Sequence, residues 1–103
     1  MTRSVNFGLW YDLRNPGNKV SFEKLYRDSL DQIAWAETIG FDSVWLTEHH
    51  FVGDGYCPSP LVVAAAIGER TKRMRIGTNL LLLPLADPAR LAEDAAALSI
   101  LTG

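Results

Sequence analysis

The sequence predicts an α/β fold, the first three βα units of a (β/α)8 TIM barrel. Three observations carry this. Apolar runs and amphipathic segments alternate in the order β-α-β-α-β-α. The strand centres lie 37 residues apart (Phe7 to Val44) and 32 apart (Val44 to Ile76), ordinary lengths for βα units. The strands are continuous apolar runs, as in parallel sheets covered by helices on their faces. An open, doubly wound sheet is the competing architecture. Its first turn would carry a Gly-rich phosphate loop, whereas here Gly8 stands alone and no G-x-G-x-x-G occurs. A closed eight-unit barrel needs about 250 residues. Residues 1–103 therefore read as the N-terminal part of a single barrel domain, with the rest of the barrel absent from the sequence.

The elements follow in order. Val5 to Tyr11 is apolar and aromatic, a buried strand that Met1 leads straight into. Asp12 to Lys19 holds the turn signal Asn15-Pro16-Gly17. Ser21 is placed to cap a helix from Phe22 to Ile39, which Gly40 ends. Ser43 to Thr47 is a second short strand, followed by Glu48-His49-His50 and a loop from Phe51 to Ser59. Ser59-Pro60 offers an N-cap and a proline at the first helical position for a helix over Leu61 to Thr71. Met74 to Leu83 is the third strand. Asp87-Pro88 repeats the cap-plus-proline device before a third helix, Ala89 to Leu101.

The composition is that of an ordinary globular protein, 48% hydrophobic and 21% charged. A net charge of -2 argues for neither a nucleic-acid nor a membrane partner. No apolar run approaches the roughly 18 residues of a membrane span, and no signal peptide is visible. Cys57 has no second cysteine to pair with. A cytoplasmic protein is the expectation.

In α/β barrels the chemistry sits at the C-terminal ends of the strands. Glu48, His49 and His50 hold that place on the second strand, where a histidine can act as general acid or base near neutral pH. All three are possible metal ligands, but adjacent side chains on a strand point to opposite faces, which argues against a shared ion. If Val44 and Leu46 face the helices, then Trp45, Thr47 and His49 face the barrel interior. His49 is then the better catalytic candidate, with Glu48 and His50 supporting it. Gly77 within the third strand signals a bulge or a close backbone approach. Thr78 and Asn79 put polar groups into an apolar strand, to be satisfied by the fold or by a ligand. Trp10 and Tyr11 could wall an aromatic ligand, or simply pack in the core. The loop Asp54-Gly55-Tyr56-Cys57 lies beside the histidines and could border a pocket, though a simple turn is the first reading, and Cys57 reads as an inert small residue. The basic run Arg70 to Arg75 follows a helix C-terminus, where positive charge is favourable, and reads as solvated surface.

The segment Gly40 to Phe51 (GFDSVWLTEHHF) resembles the second-strand motif of the bacterial luciferase-like monooxygenase superfamily. So do Ile76-Gly77-Thr78-Asn79, Leu83-Pro84, Asp87 to Asp94, and the first strand with its loop, in the right order along essentially the whole chain. The resemblance implies an oxidoreductase that binds reduced FMN, or the related deazaflavin coenzyme, at the C-terminal face of the barrel. His49 matches the histidine associated with acid/base catalysis, and Glu48 and His50 match its neighbours. The bond between Asn79 and Leu80 matches an unusual non-proline cis peptide behind the flavin ring, which makes Thr78, Asn79, Leu80 and Trp10 the candidate cofactor contacts. FMN members use oxygen on small organic substrates, and a flavin reductase supplies their electrons. Deazaflavin members mostly transfer hydride. FMN is the first expectation, deazaflavin the second. Relatives form homodimers or heterodimers, and their phosphate-gripping loops come from later strands. The rival to an enzyme is a truncated, non-catalytic chain with open sheet edges.

Overall fold

The computed structural model describes residues 4–103, so Met1 and its entry into the first strand lie outside the described residues. The order is β1 (Gly8–Tyr11), α1 (Phe22–Thr38), β2 (Ser43–Leu46), α2 (Pro60–Arg70), β3 (Arg75–Thr78) and α3 (Pro88–Thr102). The three strands form one parallel sheet in the order β1-β2-β3. These are three successive βα units, as the start of a barrel requires. No helix among the described residues is long and apolar enough to cross a membrane.

Register explains the two faces. Leu9, Val44 and Ile76 stand level across the sheet, as do Tyr11, Leu46 and Thr78. Their side of the sheet is covered by Ile33 of α1, by Val63, Ala64 and Ile67 of α2, and partly by Leu98 of α3. Val44 and Leu46 are fully buried there. Burying side chains of this size stabilises a fold by about 1.5–3 kcal/mol each. The alternate residues, Gly8 and Trp10, Ser43 and Trp45, Arg75 and Gly77, share the other face. That face is uncovered: Trp10 is 59% exposed and Trp45 44%.

The Trp45 indole lies along this open face. A Cβ on Gly77 would come within 2.5 Å of its six-membered ring, and one on Gly8 within 3.4 Å of its Nε1. The indole N–H donates to Ser43 Oγ at 3.2 Å. Gly77 is thus the close approach that its place in a strand signalled.

Three differences from the sequence reading have physical causes. β1 begins at Gly8 because its ladder partner β2 begins at Ser43, although Phe7 and Asp42 still exchange bonds through Phe7 N–H to Asp42 Oδ2 (2.9 Å) and Asp42 N–H to Phe7 O (2.8 Å). β3 ends at Thr78, and the last bond to β2 runs from Asn79 N–H to Leu46 O (2.7 Å). The apolar run beyond it turns through a 3-10 segment, Leu83–Leu85, instead of extending the strand. Ser59 stands at the N-cap of α2 but its hydroxyl bonds no helix amide; Pro60 alone marks that start. Ser21 and Asp87 do cap, accepting from Lys24 N–H (3.2 Å) and Arg90 N–H (3.0 Å). Gly40, at φ 101, ends α1 with its N–H on Glu37 O.

The N-terminal end of the sheet has a polar lock that the sequence did not reveal. Glu37, in the last turn of α1, is buried, and its carboxylate accepts from the backbone N–H groups of Lys72 (3.0 and 3.1 Å), Arg73 (2.5 Å) and Met74 (2.7 Å). Burial by itself raises such a carboxyl's pKa, but the three amides and the Arg73 charge outweigh it and hold the group below the ordinary glutamate value. The side chains of Lys72, Arg73 and Arg75 are exposed, while Arg70 pairs with Asp31.

Candidate active site

The end of β2 delivers Glu48, His49 and His50 into three different settings. The Glu48 side chain is only 8% exposed and both of its oxygens are engaged: Oε1 lies 2.7 Å from His50 Nε2, and Oε2 accepts from Leu82 N–H at 2.7 Å. His49 is exposed. Its backbone N–H is anchored to Cys57 O (3.1 Å) and its ring rests on that of Tyr56, centroids 4.0 Å apart. Neither of its ring nitrogens makes a hydrogen bond among the described residues. The three residues therefore do not converge on one point.

Tyr56 extends this contact. Arg14 lies 4.8 Å above the Tyr56 ring on a cation–π contact, and its guanidinium pairs with Asp54 (2.6 Å). An antiparallel bridge between Arg14 and Gly55, with Asn15 N–H bonded to Asp54 O (2.7 Å), joins the loop after β1 to the loop after β2. Asn15 is itself buried, donating to Val20 O at 2.7 Å. The loop read as a turn beside the histidines is thus the wall against which the His49 ring is set. Tyr56 and Arg14 were not singled out as site residues. The Asp-Gly before Tyr56 was the available signal, and nothing in sequence joins it to Arg14.

Cys57 is fully buried, and burial pushes its thiol pKa up. That fits the inert role read for it. Thr47 is 2% exposed and its hydroxyl finds no partner among the described residues.

The candidate cofactor residues fall at the neighbouring strand ends. The Asn79–Leu80 peptide is cis. Asn79 and Leu80 are exposed just past β3, where Asn79 N–H bonds Leu46 O, the last residue of β2 and three residues before His49 in the chain. Trp10 lies on the open face, level with Trp45. Thr78 stands level with Leu46 on the helix-facing side, lining a hollow with Leu61, Ala64 and Leu98. The structure therefore brings His49, Asn79 and Leu80 to one end of the sheet, with Trp10 on the inner face below and Thr78 turned toward the helices.

Residues 5–103 match the family model described as luciferase-like monooxygenase. The chain belongs to that family. It is 34% identical over 99 residues to 4-hydroxyprotoasukamycin monooxygenase of Streptomyces nodosus subsp. asukaensis, a match covering 96% of this chain and 26% of the relative. Among solved structures it resembles monooxygenase RslO1 from Streptomyces bottropensis, with a TM-score of 0.84 and 30% identity over 95% of this chain and 30% of that one. The same fold occurs in the oxygenating constituent of 3,6-diketocamphane monooxygenase from Pseudomonas putida, solved in complex with FMN (TM-score 0.85, 24% identity, 96% of this chain and 27% of that one). The chain thus spans between a quarter and a third of the length of the proteins it matches.

Proposed function

We propose that the protein carrying this luciferase-like chain is a flavin-dependent monooxygenase that uses reduced FMN and oxygen on a small organic substrate. The observation that carries the reading is the contrast between the two histidines. His50 is bound to Glu48, whereas His49 presents an exposed ring whose nitrogens are unengaged among the described residues, at the same end of the sheet as the Asn79–Leu80 bend. A group that must give or take a proton has to reach its reactant, and His49 is the one free to do so.

The residues present suit a planar, largely apolar heteroaromatic ring with a polar edge. Leu80 and the exposed indole of Trp10 supply apolar surface, while the Asn79 amide and the His49 imidazole supply polar groups. Asn79 and Leu80 would hold the ring, while Thr78, turned toward the helices, would only anchor the strand end before the bend. Flavin, when bound, supplies the redox chemistry. His49, steadied by Tyr56, would move a proton at one of its ring nitrogens, with Glu48 and His50 as supports. The neighbour described as an oxygenating constituent supports a further element of the reading, a separate flavin reductase as electron donor.

The test is titration of the full-length protein with FMN and the deazaflavin side by side, followed by comparison with His49→Ala. Tight FMN binding with turnover lost in the variant is the expected result. Preference for the deazaflavin would move the protein to hydride transfer, and binding of neither would reduce the barrel to a non-catalytic one.

A further inference from the structure

We infer that Glu48 is a positioning residue that fixes two things at once: the path of the chain after the cis peptide, and the tautomer of His50. The inference rests on reading this end of the sheet as the flavin and substrate end.

The geometry is that of a two-sided clamp. The segment leaving β3 is fastened at its start by Asn79 N–H on Leu46 O (2.7 Å). The next outside anchor is Leu82 N–H on Glu48 Oε2 (2.7 Å). Leu83 and Leu85 then bond only within their own turn, to Leu81 O and Leu82 O. Between β3 and the turn, Glu48 is therefore the side chain that ties the Asn79–Leu82 bend to the end of β2. Its 8% exposure leaves little room for water to replace it.

The second half follows from hydrogen-bond inventory. A carboxylate only accepts. With Oε1 2.7 Å from His50 Nε2, the ring must carry its proton on Nε2. In the neutral ring Nδ1 is then the acceptor. Glu48 thereby sets which face of His50 can take a proton and which gives one, while leaving His49 untouched.

Substitution separates the two roles. In Glu48→Gln, the amide oxygen can still accept from Leu82 N–H, but the NH2 must face His50 Nε2 and donate to it. The bend is kept and the His50 tautomer is reversed to Nδ1–H. In Glu48→Ala both are lost. The experiment measures amide exchange of the segment 79–86 and the imidazole 15N resonances of His50 in the full-length protein, the latter assigned by their loss in His50→Gln. Leu82 exchange should quicken about tenfold or more in Glu48→Ala and stay within about threefold of wild type in Glu48→Gln. The 15N pattern should switch from Nε2–H to Nδ1–H in Glu48→Gln. FMN affinity should follow the bend, holding in Glu48→Gln and weakening about tenfold in Glu48→Ala. Unchanged Leu82 exchange in Glu48→Ala, or an unchanged tautomer in Glu48→Gln, overturns the inference. Exchange and tautomer are read without flavin, so failure of the wild type to bind any flavin would refute the functional reading while these two measurements still judge the clamp.

Discussion

Replacing Glu37 should cost more stability than replacing an exposed carboxylate, and the part of that cost that comes from its charge should be lost in acid. The carboxylate accepts three backbone N–H groups, at 2.5 Å from Arg73, 2.7 Å from Met74 and 3.0–3.1 Å from Lys72. Hydrogen bonds to charged groups contribute about 1.5–3 kcal/mol, neutral ones about 0.5–1.5 kcal/mol. Glu37→Gln keeps an oxygen at the Oε1 position for all three N–H groups but loses the charge and sets its NH2 against the Lys72 N–H that Oε2 also accepts, so a loss of about 2–3 kcal/mol is expected. Glu37→Ala strands the buried Met74 N–H, while water reaches the exposed Lys72 and Arg73; about 3–5 kcal/mol is expected. The sign in pH follows from the direction of the shift. The folded pKa lies below the ordinary value, so the contribution is complete above the unfolded pKa of about 4.3 and is lost as pH falls through the folded one. Urea unfolding followed by tryptophan fluorescence, at neutral pH and in steps down to about pH 3, measures the gap between wild type and Glu37→Gln. A gap below about 0.5 kcal/mol at neutral pH, or one that does not narrow in acid, would refute the reasoning.

Other consequences are open to measurement. Gly77→Ala puts a Cβ against the Trp45 ring and should cost about 1–3 kcal/mol, a cost that should largely disappear in a Trp45→Ala background if the indole is its cause. Asn15→Ala removes the side chain that holds Val20 O and should destabilise by about 1–3 kcal/mol, with faster amide exchange in the 12–20 and 52–57 loops; loops exchanging as in wild type would contradict this. Cys57 should react with a disulfide reagent only as fast as the protein opens, because its thiol is buried and its pKa raised; rapid labelling of the native protein would show otherwise. Tyr56→Ala should leave stability within about 1–2 kcal/mol yet lower turnover as His49→Ala does, since the His49 ring loses its wall; full turnover would detach Tyr56 from the site.

The elements were legible where a local rule was strong. Ser21, Asp87 and Gly40 each act at a helix end through their own backbone neighbourhood, and each behaves as its residue type requires. The strand ends were less legible, because a ladder stops where its partner stops. Neither Phe7 nor Leu80 differs in kind from the residues that do pair. The inner and outer faces followed from alternation once Val44 and Leu46 were placed, and Trp45 confirmed that assignment by its exposure. Of the site, the histidines and the cis bond at Asn79–Leu80 could be named from the motif. What the motif could not convey was division of labour. Glu48 and His50 are paired two residues apart, and His49 between them turns to a tyrosine seven residues on.

The two ends of this three-stranded sheet use carboxylates on backbone amides in the same way, for different ends. At the N-terminal end of the sheet, Glu37 gathers three consecutive N–H groups of the α2–β3 connection and has no histidine attached. Its chemistry ends with holding α1 to that connection. At the C-terminal end, Glu48 gives one oxygen to a backbone amide and the other to His50. A carboxylate that only stabilised the bend would gain by accepting a second amide, as Glu37 does. Spending that oxygen on an imidazole gives up part of such a gain in exchange for control over where a proton sits. That difference is why Glu37 variants should be read in unfolding curves, and Glu48 variants in the tautomer of His50.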